Sequence, residues 1–350
     1  MRFLLLTLAT VITLVSACSP DQQKGGNPSE PETDVFAKGA DISWVTKMES
    51  EGMKFYNSAG KETDCFKLIK DIGFEAIRLR VWVDPADGWC NKADVVNKAI
   101  RAKNLGMMVM IDFHYSDVWA DPGQQNTPAA WKQHNADQMT AAIRSHTTDI
   151  LQTLKNNDVD VKWVQVGNEV NQGMLHPSGY VNGNSTGSFI KYFNTGHDAV
   201  KEIYPEAKVI LHISNGHDLG LFTWFFDLMK NGGAHYDVIG MSLYPTWWDS
   251  NINGWTSDWQ TNSTKCINNM KSLISKYGKP VMLCEVGMPC SQPEMSKAAL
   301  QYILEQAKAI SQCLGVFYWE PEAPDGYNGG YGMGAFQNGR PTIALDPFAK

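Results

Sequence analysis

Several features that identify whole classes of protein are missing from this sequence. No run of charge of one sign occurs, and the net charge of −7 argues against a nucleic-acid-binding surface. No Cys-x-x-Cys pair and no Cys/His cluster at zinc spacing occurs, which argues against a structural zinc site. No G-x-G-x-x-G motif follows an early predicted strand, so the phosphate loop of a dinucleotide-binding fold is absent.

The N-terminus, by contrast, has the features of an export signal. Arg2 precedes an apolar stretch from Phe3 to Val15 that is too short to cross a membrane. The following VSAC resembles a bacterial lipobox, which predicts residues 1–17 as a lipoprotein signal peptide and Cys18 as the lipidated residue. Ser19 then favours an outer-membrane or cell-surface lipoprotein whose only membrane contact is its lipid anchor. The alternative is an ordinary signal peptide and a periplasmic or secreted protein.

Residues 18–34 are polar, rich in glycine and proline, and without periodicity, so we predict a flexible tether there. From Val35 onward, short apolar runs alternate with longer amphipathic ones. The predicted strands are 36–42, 75–82, 107–114, 161–167, 207–213, 237–243, 280–285 and 315–320. The predicted helices are 64–72, 93–105, 137–156, 188–204, 221–231, 266–277 and 296–312. Glycines at plausible helix C-caps are Gly73, Gly106, Gly232 and Gly278.

This alternation predicts a parallel sheet, and eight repeats predict an α/β fold with a single (β/α)₈ TIM barrel over 35–350. Active sites of such barrels lie at the carboxyl ends of the strands. The polar and aromatic residues at these ends are Arg78, Arg80, Trp82, Asp112, His114, Asn168, Glu169, His212, Ser242, Tyr244, Glu285 and Trp319. A set of this size predicts a catalytic site rather than a chance grouping.

Two of these residues, Glu169 and Glu285, end the fourth and seventh predicted strands. Glycoside hydrolysis requires one carboxyl that donates a proton and a second that attacks or activates water. Arg80 and Tyr244 could hold Glu285 ionised, which suits a nucleophile, and the charge of Glu285 would favour a protonated Glu169. Asn168 could donate its amide to a sugar 2-hydroxyl. The alternative is a pair of structural, salt-bridged glutamates.

Several longer motifs occur in order over nearly the whole chain: KGADISWV, IDFHYSDVWADPGQQNTPAAW, VQVGNEVNQGML, GMSLYPTWW, CEVGMP and GVFYWEPE. They resemble glycoside hydrolase family 53, the arabinogalactan endo-β-1,4-galactanases. The resemblance implies a retaining, endo-acting enzyme that cleaves galactan, type I arabinogalactan and galacto-oligosaccharides, with Glu169 as acid/base and Glu285 as nucleophile. It also implies supporting or sugar-binding roles for Arg80, His114, Trp119, Asp121, Asn168, Tyr244 and Trp319. The strand ends add His212, and the loop after the sixth strand adds Trp247 and Trp248 as stacking platforms.

Two alternatives stay open. A β-mannanase or xylanase could carry the same two glutamates, although the loops DVWADPGQQ and TWW argue against it. A surface lipoprotein could bind glycans without cutting them, although it would be expected to have lost one of the glutamates. The chemistry requires no cofactor, and we expect a monomer whose partner is its carbohydrate substrate.

The loop EVGMPCSQPEMSKAAL is shorter than the acidic loop that carries calcium in many bacterial family members. It lacks clustered Asp and Asn oxygens, so we predict no metal there. Disulfides are permitted in an exported chain, and we predict the pairs Cys65–Cys90 and Cys266–Cys290, each with both members on the catalytic face. Cys284 and Cys313 are predicted to be buried free thiols.

Overall fold

The computed structural model of this chain describes residues 36–182, 186–250 and 253–349. The predicted signal peptide, the predicted lipidation site Cys18 and the predicted tether over 18–34 lie outside the described residues. One compact unit spans Val35–Lys350.

Eight parallel strands close into a barrel in the order β1-β2-β3-β4-β5-β6-β9-β10. They are β1 (Ala37–Asp41), β2 (Ala76–Val81), β3 (Met108–Phe113), β4 (Val161–Val166), β5 (Lys208–Ile213), β6 (Val238–Leu243), β9 (Val281–Val286) and β10 (Cys313–Trp319). Two short antiparallel hairpins complete the strands, namely β7 (Trp248–Asp249) with β8 (Gly254–Trp255), and β11 (Phe336–Gln337) with β12 (Arg340–Pro341). The predicted (β/α)₈ barrel is confirmed.

Helices alternate with the barrel strands. They are α1 (Val45–Ser50), α2 (Cys65–Ile72), α3 (Lys92–Asn104), α4 (Ala136–Asn156), α5 (Phe189–Ile203), α6 (Leu219–Gly232), α7 (Trp259–Tyr277), α8 (Pro293–Lys308) and the single turn α9 (Tyr327–Gly330). Short 3₁₀ segments cover Ala129–Trp131 and Ile343–Phe348.

Several helix ends differ from the prediction by a few residues, among them both ends of α8, and capping explains two of the differences. Helix α7 begins at Trp259 instead of Cys266, because the side chain of Asp258 caps it by accepting a hydrogen bond from the backbone N–H of Thr261. Helix α6 continues through Gly232, and its C-cap is the next residue, Gly233, with a left-handed φ of 76°. The hydrophobic pattern alone could not locate these ends, since caps rather than apolar spacing set them.

The barrel interior changes from apolar to polar along the strands. Its amino-terminal part is filled by Ala37, Ala76, Met110, Trp163, Ile210, Val238, Met282, Cys284, Leu314 and Phe317. Side chains two positions further along a strand face the same way. In β2, Ala76 is therefore followed by Arg78 and Arg80, and in β5 Ile210 is followed by His212. Alternation thus directs polar groups to the carboxyl end of an otherwise apolar barrel.

Close packing in the barrel makes one glycine sensitive to replacement. Gly39 of β1 pairs with Phe317 of β10, and a Cβ on Gly39 would lie 2.1 Å from Phe317 Cδ1. We expect Gly39→Ala to lower the free energy of unfolding by about 1–3 kcal/mol, because the ring must shift within a packed core. Urea unfolding with an unchanged m-value measures this effect.

The control is Gly220→Ala, since Gly220 is exposed in α6 and its added methyl meets only the end of the Asp218 side chain, at 3.2 Å. This change should leave stability unaltered or raise it by up to about 1 kcal/mol. Equal stabilities of the two variants would mean that the Phe317 ring moves aside without cost.

Candidate active site

Arg78 lies at the centre of the polar end of the barrel, and its side chain is only 1% exposed. It forms ion pairs with three carboxylates, those of Asp41 at 2.6 Å, Asp112 at 2.9 Å and Glu285 at 2.9 Å. It also donates hydrogen bonds to Gln165 and Asn168, at 2.6 and 2.8 Å. One buried guanidinium therefore binds five groups from the four strands β1, β3, β4 and β9 or their ends, and it fixes Glu285 and Asn168 relative to each other.

Glu285 lies in β9, is 5% exposed and is held at both carboxylate oxygens. Oε1 pairs with Arg78, and Oε2 accepts a hydrogen bond of 2.9 Å from the hydroxyl of Tyr244. Burial raises the pKa of Glu285, whereas Arg78 and the Tyr244 hydroxyl act in the opposite direction. The predicted contact with Tyr244 is confirmed. The cation beside Glu285 is Arg78, not the predicted Arg80.

Glu169 follows β4 and is partly exposed, with a left-handed φ of 43° that side chains other than glycine rarely adopt. The pKa of its carboxyl is raised, first by burial and next by the negative charge of Glu285. Glu285 has two direct partners that favour its ionised form, whereas the negative charge of Glu285 disfavours ionisation of Glu169. The pair therefore holds a proton on Glu169 and a negative charge on Glu285.

The backbone that carries Glu169 is held from the loop after β3. The buried side-chain amide of Gln125 donates to the carbonyl oxygen of Asn168 at 2.8 Å. Asn168 itself donates from Nδ2 to the carbonyl of Ala120 at 2.8 Å. The amide nitrogen of Asn168 has a second hydrogen, which can still make the predicted hydrogen bond to a sugar hydroxyl. Gln125 was not singled out from the sequence, although it stands in the DPGQQ segment.

A hydrogen-bonded chain inside the barrel leads to Glu169. Gln165 Nε2 donates to Nδ1 of His212 at 2.7 Å, so the ring proton is on Nε2, which lies 2.8 Å from Ser242 Oγ. Burial and the charge of Arg78 lower the pKa of His212 to about 3, which keeps the ring neutral. Ser242 in turn acts to lower the pKa of the Glu169 carboxyl, against the effects of burial and of Glu285. His212 has no exposed surface in this structure, and its predicted contact with substrate stays a prediction.

Four indole rings form one side of this end of the barrel. We call Trp44, Trp82, Trp119 and Trp319 the tryptophan wall. Ring centroids lie 5.1 Å apart for Trp82–Trp119, 5.2 Å for Trp44–Trp319 and 5.8 Å for Trp119–Trp319. Trp119 and Trp319 are partly exposed, so their accessible faces can stack on a sugar ring.

Arg80 lies behind this wall rather than at the carboxylates. Its Nη1 donates to Glu320 at 2.9 Å, and its guanidinium carbon is 4.3 Å from the ring centroid of Trp119. Arg80 is 1% exposed. The prediction that it holds Glu285 is therefore wrong, and its contacts support Trp119 by charge and packing. Its predicted role in binding substrate stays a prediction.

His114 also supports the wall. Its Nδ1 accepts hydrogen bonds of 3.1 Å from the indole N–H of Trp82 and from the backbone N–H of Ala120, while Nε2 donates to Asp112 at 3.0 Å. His114 is 3% exposed, and its contacts hold Trp82 and the loop after β3. Its predicted role in binding sugar stays a prediction.

A cavity of about 300 Å³ adjoins the wall, and Trp44, Trp82, Trp89 and Trp119 line it together with Lys47 and Asp87. Trp89 was not predicted, although its place in the loop after the second strand resembles that of the other tryptophans. A cavity lined by indole faces and charged groups has the chemistry of a carbohydrate site. Sugar rings stack on the apolar faces, while a carboxylate accepts hydrogen bonds from sugar hydroxyls and an ammonium donates to them.

The remaining predicted sugar contacts lie in loops at the same end of the barrel. Asp121 is partly exposed, but its carboxylate closes its own turn by accepting hydrogen bonds from Gly123 and Gln124. Trp247 is 51% exposed and therefore free to stack on a ligand. Trp248 lies in β7, and its side chain is outside the described parts of the chain.

The comparison with known proteins agrees with this site. The sequence model of glycosyl hydrolase family 53 matches residues 37–338. The chain belongs to glycosyl hydrolase family 53. It is therefore a glycoside hydrolase, and the matched segment runs from β1 to the β11–β12 hairpin.

The relatives of this family 53 hydrolase include two curated galactanases. The arabinogalactan endo-β-1,4-galactanase A of Emericella nidulans is 33% identical over 324 residues, which cover 86% of this chain and 88% of that protein. The endo-β-1,4-galactanase of Bacillus subtilis is 32% identical over 317 residues, which cover 82% of this chain and 70% of the relative. A solved fungal β-1,4-galactanase superposes with a TM-score of 0.80 at 26% identity, covering 90% of this chain and 99% of the other.

The cysteines of the hydrolase are not cross-linked in the way that was predicted. All six cysteines of the described residues are buried free thiols, so the pairs Cys65–Cys90 and Cys266–Cys290 are wrong. The Sγ of Cys90, for example, points to the carbonyl oxygen of Ser43 at 3.9 Å. A shared face of the barrel does not bring two sulfurs to bonding distance. The prediction of free thiols at Cys284 and Cys313 is confirmed.

Proposed function

We propose that this family 53 hydrolase is a retaining endo-β-1,4-galactanase that acts on galactan, type I arabinogalactan and galacto-oligosaccharides. The observation that carries the proposal is the unequal pair of carboxyls, an ionised Glu285 held by Arg78 and Tyr244 and a protonated Glu169 opposite it. The tryptophan wall supports a polysaccharide substrate. The names of the relatives from Emericella nidulans and Bacillus subtilis support galactan as that polysaccharide.

In the first step, a Glu285 carboxylate oxygen attacks C1 of the galactosyl unit. The C1–O bond to the leaving sugar breaks as Glu169 transfers its proton to that oxygen, and a glycosyl ester of Glu285 remains. Glu285 loses its charge in this ester. The main neighbouring charge that raises the pKa of Glu169 is then gone, which suits Glu169 to act next as a base.

In the second step, the carboxylate of Glu169 takes a proton from water, and the resulting hydroxyl attacks C1. The ester bond breaks and Glu285 leaves as a carboxylate, so both residues return to their starting forms. Two inversions at C1 give a product with retained β-configuration. Asn168, held by Arg78 and Gln125, is placed to donate to the 2-hydroxyl of the reacting sugar.

The test of this function is reducing-end release from linear β-1,4-galactan, run beside β-1,4-mannan, xylan and β-1,3-galactan. We expect release from the first polymer alone, with the β-anomer as the first product seen by proton NMR. Hydrolysis of mannan or xylan instead would assign a different substrate to the same catalytic pair. Binding without release from any of the four would favour the glycan-binding lipoprotein. An initial α-anomer would contradict retention.

The hydroxyl of Tyr244 gives a prediction for pH dependence. Glu285 must be ionised to attack, so activity is lost as pH falls through its pKa. The Tyr244 hydroxyl lowers that pKa, and we expect Tyr244→Phe to move the acid limb of kcat/KM to higher pH by about one unit. The pH–rate profile on galactan measures this shift.

The alkaline limb should follow deprotonation of Glu169 and remain nearly in place, because kcat/KM reports the pKa values of the free enzyme. Tyr302→Phe, which removes a hydroxyl paired with Thr264 on the outer helices, is the matched control and should leave both limbs unmoved. An acid limb that is the same in Tyr244→Phe and wild type would exclude Tyr244 from controlling Glu285.

We also propose that the hydrolase is a bacterial lipoprotein anchored through Cys18. The support is the VSAC segment. Over the described ranges no helix is long and apolar enough to cross a membrane. Mass spectrometry of the N-terminal peptide should find a lipid-modified Cys18, and Cys18→Ser should release the enzyme from the membrane fraction. An unmodified N-terminus downstream of Cys18 would contradict this proposal.

A further inference from the structure

We propose that His197, Asp198 and His235 form a zinc-binding site at the amino-terminal end of the barrel, distinct from the catalytic carboxyls. His197 and Asp198 are on α5, and His235 lies in the connection from α6 to β6. This connection enters β6 at its amino end, whereas Glu169 and Glu285 lie at the carboxyl ends of their strands. The proposed site therefore stands apart from the chemistry of hydrolysis.

The three side chains already converge. Each offers one ligand atom, and these atoms all lie within 4.8 Å of one another. Nδ1 of His197 is 2.9 Å from Oδ1 of Asp198, and the two imidazole centroids are 5.6 Å apart. Around a tetrahedral zinc ion with bonds of about 2.0–2.2 Å, neighbouring ligand atoms are roughly 3.4 Å apart. Small rotations of the partly exposed His197 and of the exposed Asp198 and His235 would therefore bring all three onto one ion.

The side chain of Asn194, which is not one of the three proposed ligands, holds the backbone of His235 against α5. Asn194, one turn before His197, donates from Nδ2 to the carbonyl of Gly233 at 2.9 Å. Its Oδ1 accepts a hydrogen bond of 2.8 Å from the backbone N–H of His235. This double contact fixes the backbone that carries one ligand against the helix that carries the other two, as outer residues do in metal sites.

The donor set selects the class of ion. Two imidazoles and one carboxylate suit Zn²⁺, whereas Ca²⁺ and Mg²⁺ prefer sites made of oxygen ligands alone. The nearby carboxylate of Asp237 pairs with Lys201 at 2.8 Å and accepts a hydrogen bond of 2.8 Å from the N–H of Val209, so we do not count it as a zinc ligand. Three protein ligands leave one position for water. A bound ion would tie α5 to the α6–β6 connection and stabilise the native state.

The test is titration of the metal-free full-length protein, purified without a polyhistidine tag, with ZnCl₂ under calorimetry and thermal unfolding. We expect one zinc ion per chain and a rise in Tm of about 5 °C at a hundredfold excess over Kd. CaCl₂ and MgCl₂ should leave Tm unchanged, and galactan hydrolysis should be the same with and without zinc. The absence of saturable zinc binding would overturn the site.

Variants locate the ion. His197→Gln/His235→Gln should abolish both the binding heat and the Tm shift, while its Tm in EDTA stays equal to that of wild type. His134→Gln, at a histidine outside the site, is the matched control and should keep both signals. Asn194→Ala retains all three ligands and should weaken zinc binding about tenfold. A Tm shift that persists in the double variant would place the ion elsewhere and reject the proposal.

Discussion

Replacing Glu285 by glutamine is expected to lower kcat on β-1,4-galactan by at least about 10⁴-fold, with little change in thermal stability. Glutamine has nearly the same shape and can still accept the hydrogen bond from Tyr244, but it cannot form the glycosyl ester. Steady-state rates from reducing-end release, together with a melting curve, measure both parts of this expectation.

Glu169→Gln should differ from Glu285→Gln in a way that assigns the two roles. Removing the proton donor should cost about 10²–10⁴-fold on galactan. An aryl β-galactobioside with an acidic phenol as leaving group needs no such proton, so the first step should remain fast in Glu169→Gln. The same substrate should not rescue Glu285→Gln, because bond formation at C1 still requires the carboxylate.

Azide distinguishes the roles by stereochemistry. In Glu169→Ala it should attack the glycosyl ester and give a β-galactosyl azide, whereas in Glu285→Ala it should attack the substrate directly and give the α-azide. The control is Glu294→Gln, an exposed glutamate in the first turn of α8, which should keep full activity. Full turnover by either catalytic variant, or the opposite azide anomers, would contradict the assignment.

Loss of Arg78 is expected to have the largest effect on stability. Arg78→Leu leaves Asp41, Asp112 and Glu285 buried without their shared cation, and removing one partner of a buried pair costs about 3–5 kcal/mol. Arg78→Lys keeps the charge but cannot reach all five acceptors. Its free energy of unfolding should therefore lie between those of wild type and Arg78→Leu. Urea unfolding measures both variants, and activity should fall in both because Glu285 loses its position.

The destabilisation should depend on pH, with a defined sign. Burial acts to raise the pKa of Asp112 and Glu285 in the folded protein, and Arg78 opposes this at both residues. The pKa of Asp112 is lowered overall, whereas that of Glu285 is raised to about 7. In Arg78→Leu the folded-state pKa values rise above those of the unfolded chain, so stability is lost as pH rises. The gap between wild type and variant should therefore be wider at pH 7 than at pH 5.

Arg101→Leu is the matched control for this effect. Arg101 also pairs with two carboxylates, those of Glu49 and Asp64, but its side chain is 23% exposed at the helix surface. Water screens such pairs, so we expect a loss of about 1 kcal/mol. Equal losses at Arg78 and Arg101, or an effect at Arg78 that does not change with pH, would contradict the role of Arg78 as a buried counter-charge.

The barrel strands could be predicted from the sequence because each is a short apolar run that is buried on both faces. The predicted strand 161–167, for example, is β4 over Val161–Val166. Helix starts were less predictable, as α7 shows, since one capping carboxylate at Asp258 adds two turns that the apolar pattern does not require.

The sequence predicted which residue types form the candidate site and at which end of the barrel they lie, but it did not predict the contacts between them. Arg78 and Arg80 face the same way in β2, and alternation cannot tell which one meets Glu285. The depth along the strand decides this, because two residues differ by about 6.6 Å. Arg78 lies among the carboxylates, whereas Arg80 lies beyond them against Trp119. Asp41 was missed although it is the last residue of β1, at the same end of the barrel.

The six buried thiols have a consequence for the durability of the protein under oxidising conditions. Burial raises the pKa of Cys290 and Cys313 to about 12, so neither is a reactive thiolate near neutral pH. Protection against oxidation is therefore a property of the packed native state, since none of the six sulfurs is already held in a disulfide. Once the chain unfolds, these six thiols become available for random disulfide pairing. Under oxidising conditions, unfolding that would otherwise be reversible then becomes irreversible inactivation.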